Sequence, residues 1–143
     1  MSRIFTCEKR VEYAHTDMAG IVHFSQFFRY MEEAEHEFFR SLGFSIHHPT
    51  PQGTISWPRV SCHFDFKKPL RFEEIFQINI QIIRLGNRSI TYRATVTNQE
   101  QVMAVGTATI VCCRLASGEM ISVELPDPIR KALSPWLVEA SCE

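Results

Sequence analysis

The stretch FSQFFRYMEEAEHEFFRSLG, residues 24–43, decides the architecture. Phe24, Phe27, Phe28, Met31, Ala34, Phe38 and Leu42 recur at spacings of three and four, the repeat of one helix face. The spacing predicts a helix of about 18 residues, roughly 27 Å long at 1.5 Å per residue. Gly43 stands where the chain would leave it through a C-cap.

On both sides of this helix the period falls to two. Upstream, Phe5, Cys7, Val11 and Tyr13 share one parity, as in a half-buried strand. Downstream, FSIHHPTPQGTISWP reads as a loop, with His47-His48 on the surface or in a lid. Then Val60, Cys62, Phe64 and Phe66 alternate with polar residues, as do Phe76 to Ile82 and Ile90 to Val96. A further run covers about 102 to 115. Gly86-Asn87 and Asn98-Gln99-Glu100 supply turn chemistry between runs. Asp127-Pro128 offers an N-cap and a first-turn proline for a short last helix at about 127–138.

Strand, long helix and four strands on short connections predict an α+β fold, with an antiparallel sheet of about five or six strands burying the phenylalanine stripe. One helix is narrow cover for such a sheet. The leftover edge therefore calls for a second copy, a homodimer at least, with a homotetramer expected.

The chain has 143 residues, 45% of them hydrophobic and 22% charged, and a formal charge of −1. That balance fits one globular domain over 1–143 and lacks the basic excess of a nucleic-acid binder. The N-terminal charges argue against a secretory signal, and no apolar run approaches the ~18 residues of a membrane span. Cys7, Cys62, Cys112, Cys113 and Cys142 are odd in number and form no CxxC. Reduced thiols and a cytoplasmic location are expected, with no zinc.

The richest chemistry lies before the helix, in YAHTDMAGIVHF, residues 13–24. Asp17 can serve as base or nucleophile, Gly20 permits close backbone approach, and the first helical N–H groups can hold an oxyanion. On spacing alone Asp17 reads more readily as a cap. His15 could join Asp17 and His23 at a metal, although histidines at a strand end are more often hydrogen-bonded or exposed. No GxSxG, P-loop or GxGxxG occurs.

TDMAGIVHFSQFFRYMEEAE, residues 16–35, resembles the hotdog-fold acyl-CoA thioesterases, particularly the 4-hydroxybenzoyl-CoA thioesterase family. Aspartate, glycine and aromatic helix fall in register, and the order of elements agrees over about residues 4–115. The resemblance implies a sheet wrapped around a central helix and hydrolysis of an acyl-CoA to acid and CoA, without metal or cofactor. It makes Asp17 the catalytic carboxylate and the Phe24 backbone N–H the donor to the thioester carbonyl, with Gly20 lining the approach. Aliphatic-type relatives have Tyr-His where this chain has His23-Phe24, so a side-chain role would be absent here or shifted to His23. The pair is closer to the aromatic-substrate branch.

The same resemblance places the CoA nucleotide near Asn87, Arg88 and Ser89. Lys67 and Lys68 are a second and weaker candidate for its phosphates, the other reading of either cluster being a solvated strand edge. Glu32 aligns with an acid near the acyl pocket and Ser61 with a strand beside the site. The alternatives within and outside this activity are an acyl-thioester hydratase or dehydratase and a non-catalytic acyl-CoA-binding module.

Overall fold

The computed structural model describes residues 3–138, so Cys142 lies outside the described residues. Strand β1 (Phe5–Arg10) leads through a 3-10 turn (Tyr13–His15) to helix α1 (Phe24–Ser41). Then come β2 (His48–Thr50), β3 (Gly53–Ser56), β4 (Arg59–Phe66), β5 (Ile75–Leu85), β6 (Ser89–Asn98) and β7 (Gln101–Val111). The chain closes with β8 (Cys113–Ala116), β9 (Glu119–Ser122), α2 (Asp127–Leu133) and a 3-10 turn (Ser134–Trp136).

The expected α+β class holds, and the sheets are antiparallel throughout. Helix α1 has the predicted length of 18 residues. Leu42 is its C-cap and Gly43 follows at φ +90°. The N–H groups of Gly43 and Phe44 reach back to the Arg40 and Phe39 carbonyls, the crossed pair of a Schellman ending.

A five-stranded sheet runs in the order β1-β5-β6-β7-β4. Its alternation is the one read in the sequence: Phe76, Ile78, Ile80 and Ile82 are buried beside Ile90, Tyr92, Ala94 and Val96. Register pairs Ile78 with Val96 and Ile80 with Ala94. Against this face α1 lays Phe27, Tyr30, Met31, Ala34 and Phe38, all buried. Tyr30 meets Phe76 at 4.8 Å between ring centroids, and Phe38 meets Phe5 at 5.2 Å.

Several expectations need correction. Residues 44–58 are not all loop, because β2 and β3 join β8 and β9 in a separate four-stranded sheet, order β2-β3-β8-β9. The run at 102–115 is two strands, β7 and β8. Tyr13 is 77% exposed and lies beyond β1, not in it. At α2 the cap is Pro126, and Asp127 opens the helix itself.

Strand β4 departs twice. It pairs with β7 at the sheet edge, not with β5, which follows it in sequence. Of its apolar residues only Phe64 is buried, while Val60, Cys62 and Phe66 are exposed. The physical reason is width, since one helix does not cover the outermost strand. Phe64 is seated by Gly106 opposite it, where an added Cβ would come within 2.7 Å of the ring.

Because β4 and β5 stand two strands apart, residues 67–74 must cross the end of the sheet. Lys67 and Lys68 donate to the Met103 carbonyl, Leu70 O accepts from Val22, and Glu73 N–H reaches Val11 O. This crossing passes directly beside the segment that leads into α1.

Candidate active site

Three backbone pieces meet at that crossing: the 16–23 segment, the first turn of α1 and the 67–74 connection. Together they bound a cleft of about 430 Å³ that contains Asp17, Ile21, Phe24 and Phe27 on one wall and Phe66, Lys67 and Lys68 on the other. Topology makes the second wall. Without the crossover the two lysines would sit at a remote edge.

Asp17 turns through Met18 and Ala19, with Gly20 N–H donating to Asp17 O at 2.9 Å. Gly20 has φ +80° and open space where a Cβ would stand, so glycine is required by the left-handed backbone. The Ala19 N–H donates to Asp17 Oδ1 at 2.8 Å. Oδ2 has no hydrogen-bond partner among the described residues. The carboxylate thus closes its own turn with one oxygen and keeps the other for the cleft, and it does not cap α1.

His23 does that instead. Its Nδ1 accepts from Ser25 N–H at 3.3 Å and lies 2.7 Å from Ser25 Oγ, while its backbone N–H donates to His15 O at 2.9 Å. The first helical N–H, that of Phe24, meets no acceptor among the described residues. Such orphaned donors at a helix start, with the helix dipole behind them, suit a developing negative charge. The Phe24 ring is 61% exposed at the cleft and lies 4.5 Å from the His23 ring.

The other predicted residues fall into two places. Glu32 is farther along α1 and pairs loosely with Arg59, 3.6 Å away on β4, and Ser61 lies on the same strand. Asn87, Arg88 and Ser89 occupy the β5–β6 turn at the far end of β5, roughly 30 Å from the cleft by strand rise. Within one chain the structure brings Asp17, Gly20, Phe24, His23, Lys67 and Lys68 together, and leaves Asn87, Arg88 and Ser89 apart.

Sequence reasoning missed a buried polar cluster behind the site. Glu35 is 3% exposed, and its Oε1 accepts from Tyr92 Oη at 2.6 Å and from the Arg59 guanidinium at 2.7 Å. Burial, followed by the nearby Glu35 charge, pushes the Tyr92 phenol up, so it stays a donor. The signal was an acid inside the apolar stripe between Met31 and Phe38. Thiolate chemistry is disfavoured at Cys7 and Cys112, since burial pushes their thiols up to about 12 and about 11.

A free carboxylate oxygen and a free helix-start N–H facing one apolar cleft are the parts of an acyl-transfer site. Comparison with known proteins agrees: residues 11–137 match the model of the thioesterase-like superfamily. The chain belongs to that superfamily. This thioesterase-like chain is 30% identical to the 1,4-dihydroxy-2-naphthoyl-CoA hydrolase of Parasynechococcus marenigrum, over 69% of this chain and 70% of that protein. It is 27% identical to the 4-hydroxybenzoyl-CoA thioesterase of a Pseudomonas strain, over 68% and 69%. The crystal structure of a Synechocystis 1,4-dihydroxy-2-naphthoyl-CoA thioesterase superposes with a TM-score of 0.80 at 26% identity, covering 92% of this chain and 96% of that one.

The resemblance to hotdog-fold acyl-CoA thioesterases therefore holds, and the chain is a thioester hydrolase by family. No helix among the described residues is long and apolar enough to cross a membrane.

Proposed function

We propose that the protein hydrolyses acyl-CoA thioesters, with aryl or short acyl groups favoured, at the cleft around Asp17. One observation carries the reading. Asp17 Oδ2 and the Phe24 N–H are both unpartnered among the described residues and share one aromatic-walled cleft with two lysines at its rim.

In this reading the thioester carbonyl points its oxygen at the Phe24 N–H. Asp17 takes the proton from the attacking water, or attacks the carbonyl carbon itself to form an acyl–Asp17 anhydride that water hydrolyses after CoA has left. The C–S bond then breaks and CoA leaves as a thiolate, which needs little help from a general acid. Gly20 keeps the approach open, and His23 acts by fixing the helix start. Lys67 and Lys68 meet CoA phosphates at the rim. Glu32, with Arg59 beside it, and Ser61 border the acyl end.

The reading also takes the sheet to wrap around α1 in the hotdog manner, with a second copy covering the open β4 edge. Asn87, Arg88 and Ser89 then serve a cleft of another copy, since a single chain holds them too far from its own Asp17. Light scattering that gives a monomer at assay concentrations would remove this part.

Thiol release measured over aryl-, short- and long-chain acyl-CoAs tests the activity. Turnover highest on aryl or short acyl groups is expected, and its loss in Asp17→Asn. Tight acyl-CoA binding without thiol release would instead make the protein a binding module, and full activity in Asp17→Asn would end the mechanism.

A further inference from the structure

His15 is outside the cleft lining, yet it is tied to both the turn before Asp17 and the start of α1. Its ring stands edge-on to Tyr30, 5.1 Å between centroids at 82°. Nδ1 accepts from the Glu12 backbone N–H at 3.0 Å and lies 2.8 Å from Tyr30 Oη. Its backbone carbonyl holds the His23 N–H at 2.9 Å.

The hydrogen-bond inventory fixes the imidazole state. Because a backbone N–H points at Nδ1, that nitrogen carries no proton, and a neutral ring has its hydrogen on Nε2. Tyr30 is 1% exposed and must place its hydroxyl hydrogen somewhere. Its phenol, pushed up by burial and then by Glu33 and Glu12, stays protonated and shares the single Nδ1 lone pair with the Glu12 N–H as a three-centre bond. The turn before Asp17 is thereby pinned to the buried middle of α1 by a side chain. It is pinned to the start of α1 by a backbone bond.

We infer that His15 is a positioning residue for thioester hydrolysis: with Tyr30 it sets the distance between the Asp17 carboxylate and the Phe24 N–H. The inference rests on the function proposed above. Asp17 follows His15 by two residues on the clamped turn, and Phe24 follows His23, whose N–H His15 holds. A clamp of this kind acts on rate, because a displacement of about 1 Å between reacting groups can cost on the order of 100-fold. It also requires the neutral ring. A proton on Nδ1 would face the Glu12 N–H and remove the acceptor that Tyr30 uses. The charged and titratable groups bearing on this contact are Tyr30 and Glu33 of α1, Glu12 of the turn, and Asp17 two residues on.

The test compares His15→Leu, His15→Asn and Tyr30→Phe by steady-state kinetics, with Asp17→Asn as control. Asparagine offers an oxygen near the place of Nδ1, accepts from both donors and does not titrate. Expected are a kcat lower by about 10- to 100-fold in His15→Leu with KM changed less than threefold, and recovery to within about fivefold in His15→Asn. Tyr30→Phe should be intermediate.

His15→Leu within twofold of wild type, or equal losses in the leucine and asparagine variants, would each overturn the positioning role. Full thiol release by Asp17→Asn would sink the proposed mechanism, whereas an inactive Asp17→Asn beside an unaffected His15→Leu would sink only this inference.

Discussion

The two ends of the five-stranded sheet are built on opposite rules. At the end holding Asp17, polar groups are left open: one carboxylate oxygen and the first N–H of α1 have no partner among the described residues. At the end holding Arg88, the turn is locked. The Gly86 carbonyl takes the Arg130 guanidinium at 2.7 Å, Asn87 O takes the Leu125 N–H at 2.9 Å, and Arg88 O takes the Cys112 N–H at 2.7 Å. Arg88 itself rests on Ser122, with both contacts at 3.2 Å. Both ends carry charge in the sequence, but at the Arg88 end the backbone of the turn is tied down while at the Asp17 end the first N–H of α1 has no partner among the described residues. Asp17 and Phe24 are exposed, so water meets these groups in the free protein and a ligand entering the cleft can take its place.

The contrast is open to attack by mutation. The largest effect is expected from Asp17→Asn, which should lower kcat on the order of 1,000-fold or more while the thermal midpoint stays near wild type, read by thiol release and circular dichroism. Glu35→Ala should do the reverse. It takes the acceptor from the buried Tyr92 hydroxyl and leaves the half-buried Arg59 only its loose ion pair with Glu32, and urea unfolding should reveal a loss of about 1–3 kcal/mol.

Gly106→Ala pushes a methyl into the Phe64 ring, which is held between α1 and β7. A loss of about 1–3 kcal/mol by the same measurement is expected. An unchanged midpoint would mean that Phe64 turns aside freely. The smallest effects belong to the cations. Lys67→Ala with Lys68→Ala should raise KM for acyl-CoA by about 5- to 10-fold at low salt, less at high salt, with kcat preserved. Arg88→Ala sharpens the comparison of ends: a raised KM ties the far turn to a neighbouring copy's cleft, and an unchanged one leaves it purely structural.

Much of this was legible because it is local. The limits of α1 follow from the three-and-four spacing and Gly43, and β5 and β6 from alternation that burial preserves residue by residue. Asp17, Gly20 and Phe24 lie within eight residues, so their meeting needed no knowledge of topology. The rest is not local. Strands β2, β3 and β9 are only three or four residues long and exist because each finds a partner in the second sheet. Lys67 and Lys68 could be named, but their wall of the cleft depends on β4 pairing with β7. His15 and Tyr30 are fifteen residues apart on different elements, and only the demand of a buried phenol for an acceptor pointed toward such a contact.

The crossing at 67–74 also fixes when the site comes into being. The cleft needs β4 docked at one edge, β1 and β5 paired on the other side, and the start of α1 in place, with residues 67–74 tied to Val11, Val22 and Met103. These partners are far apart in the chain, so each contact demands the closing of a long loop. No hairpin or lone helix formed early in folding contains the cleft. Competence to bind substrate should therefore arise in the last kinetic phase, after most secondary structure has formed, making ligand binding a reporter of topology completed and not of helix content.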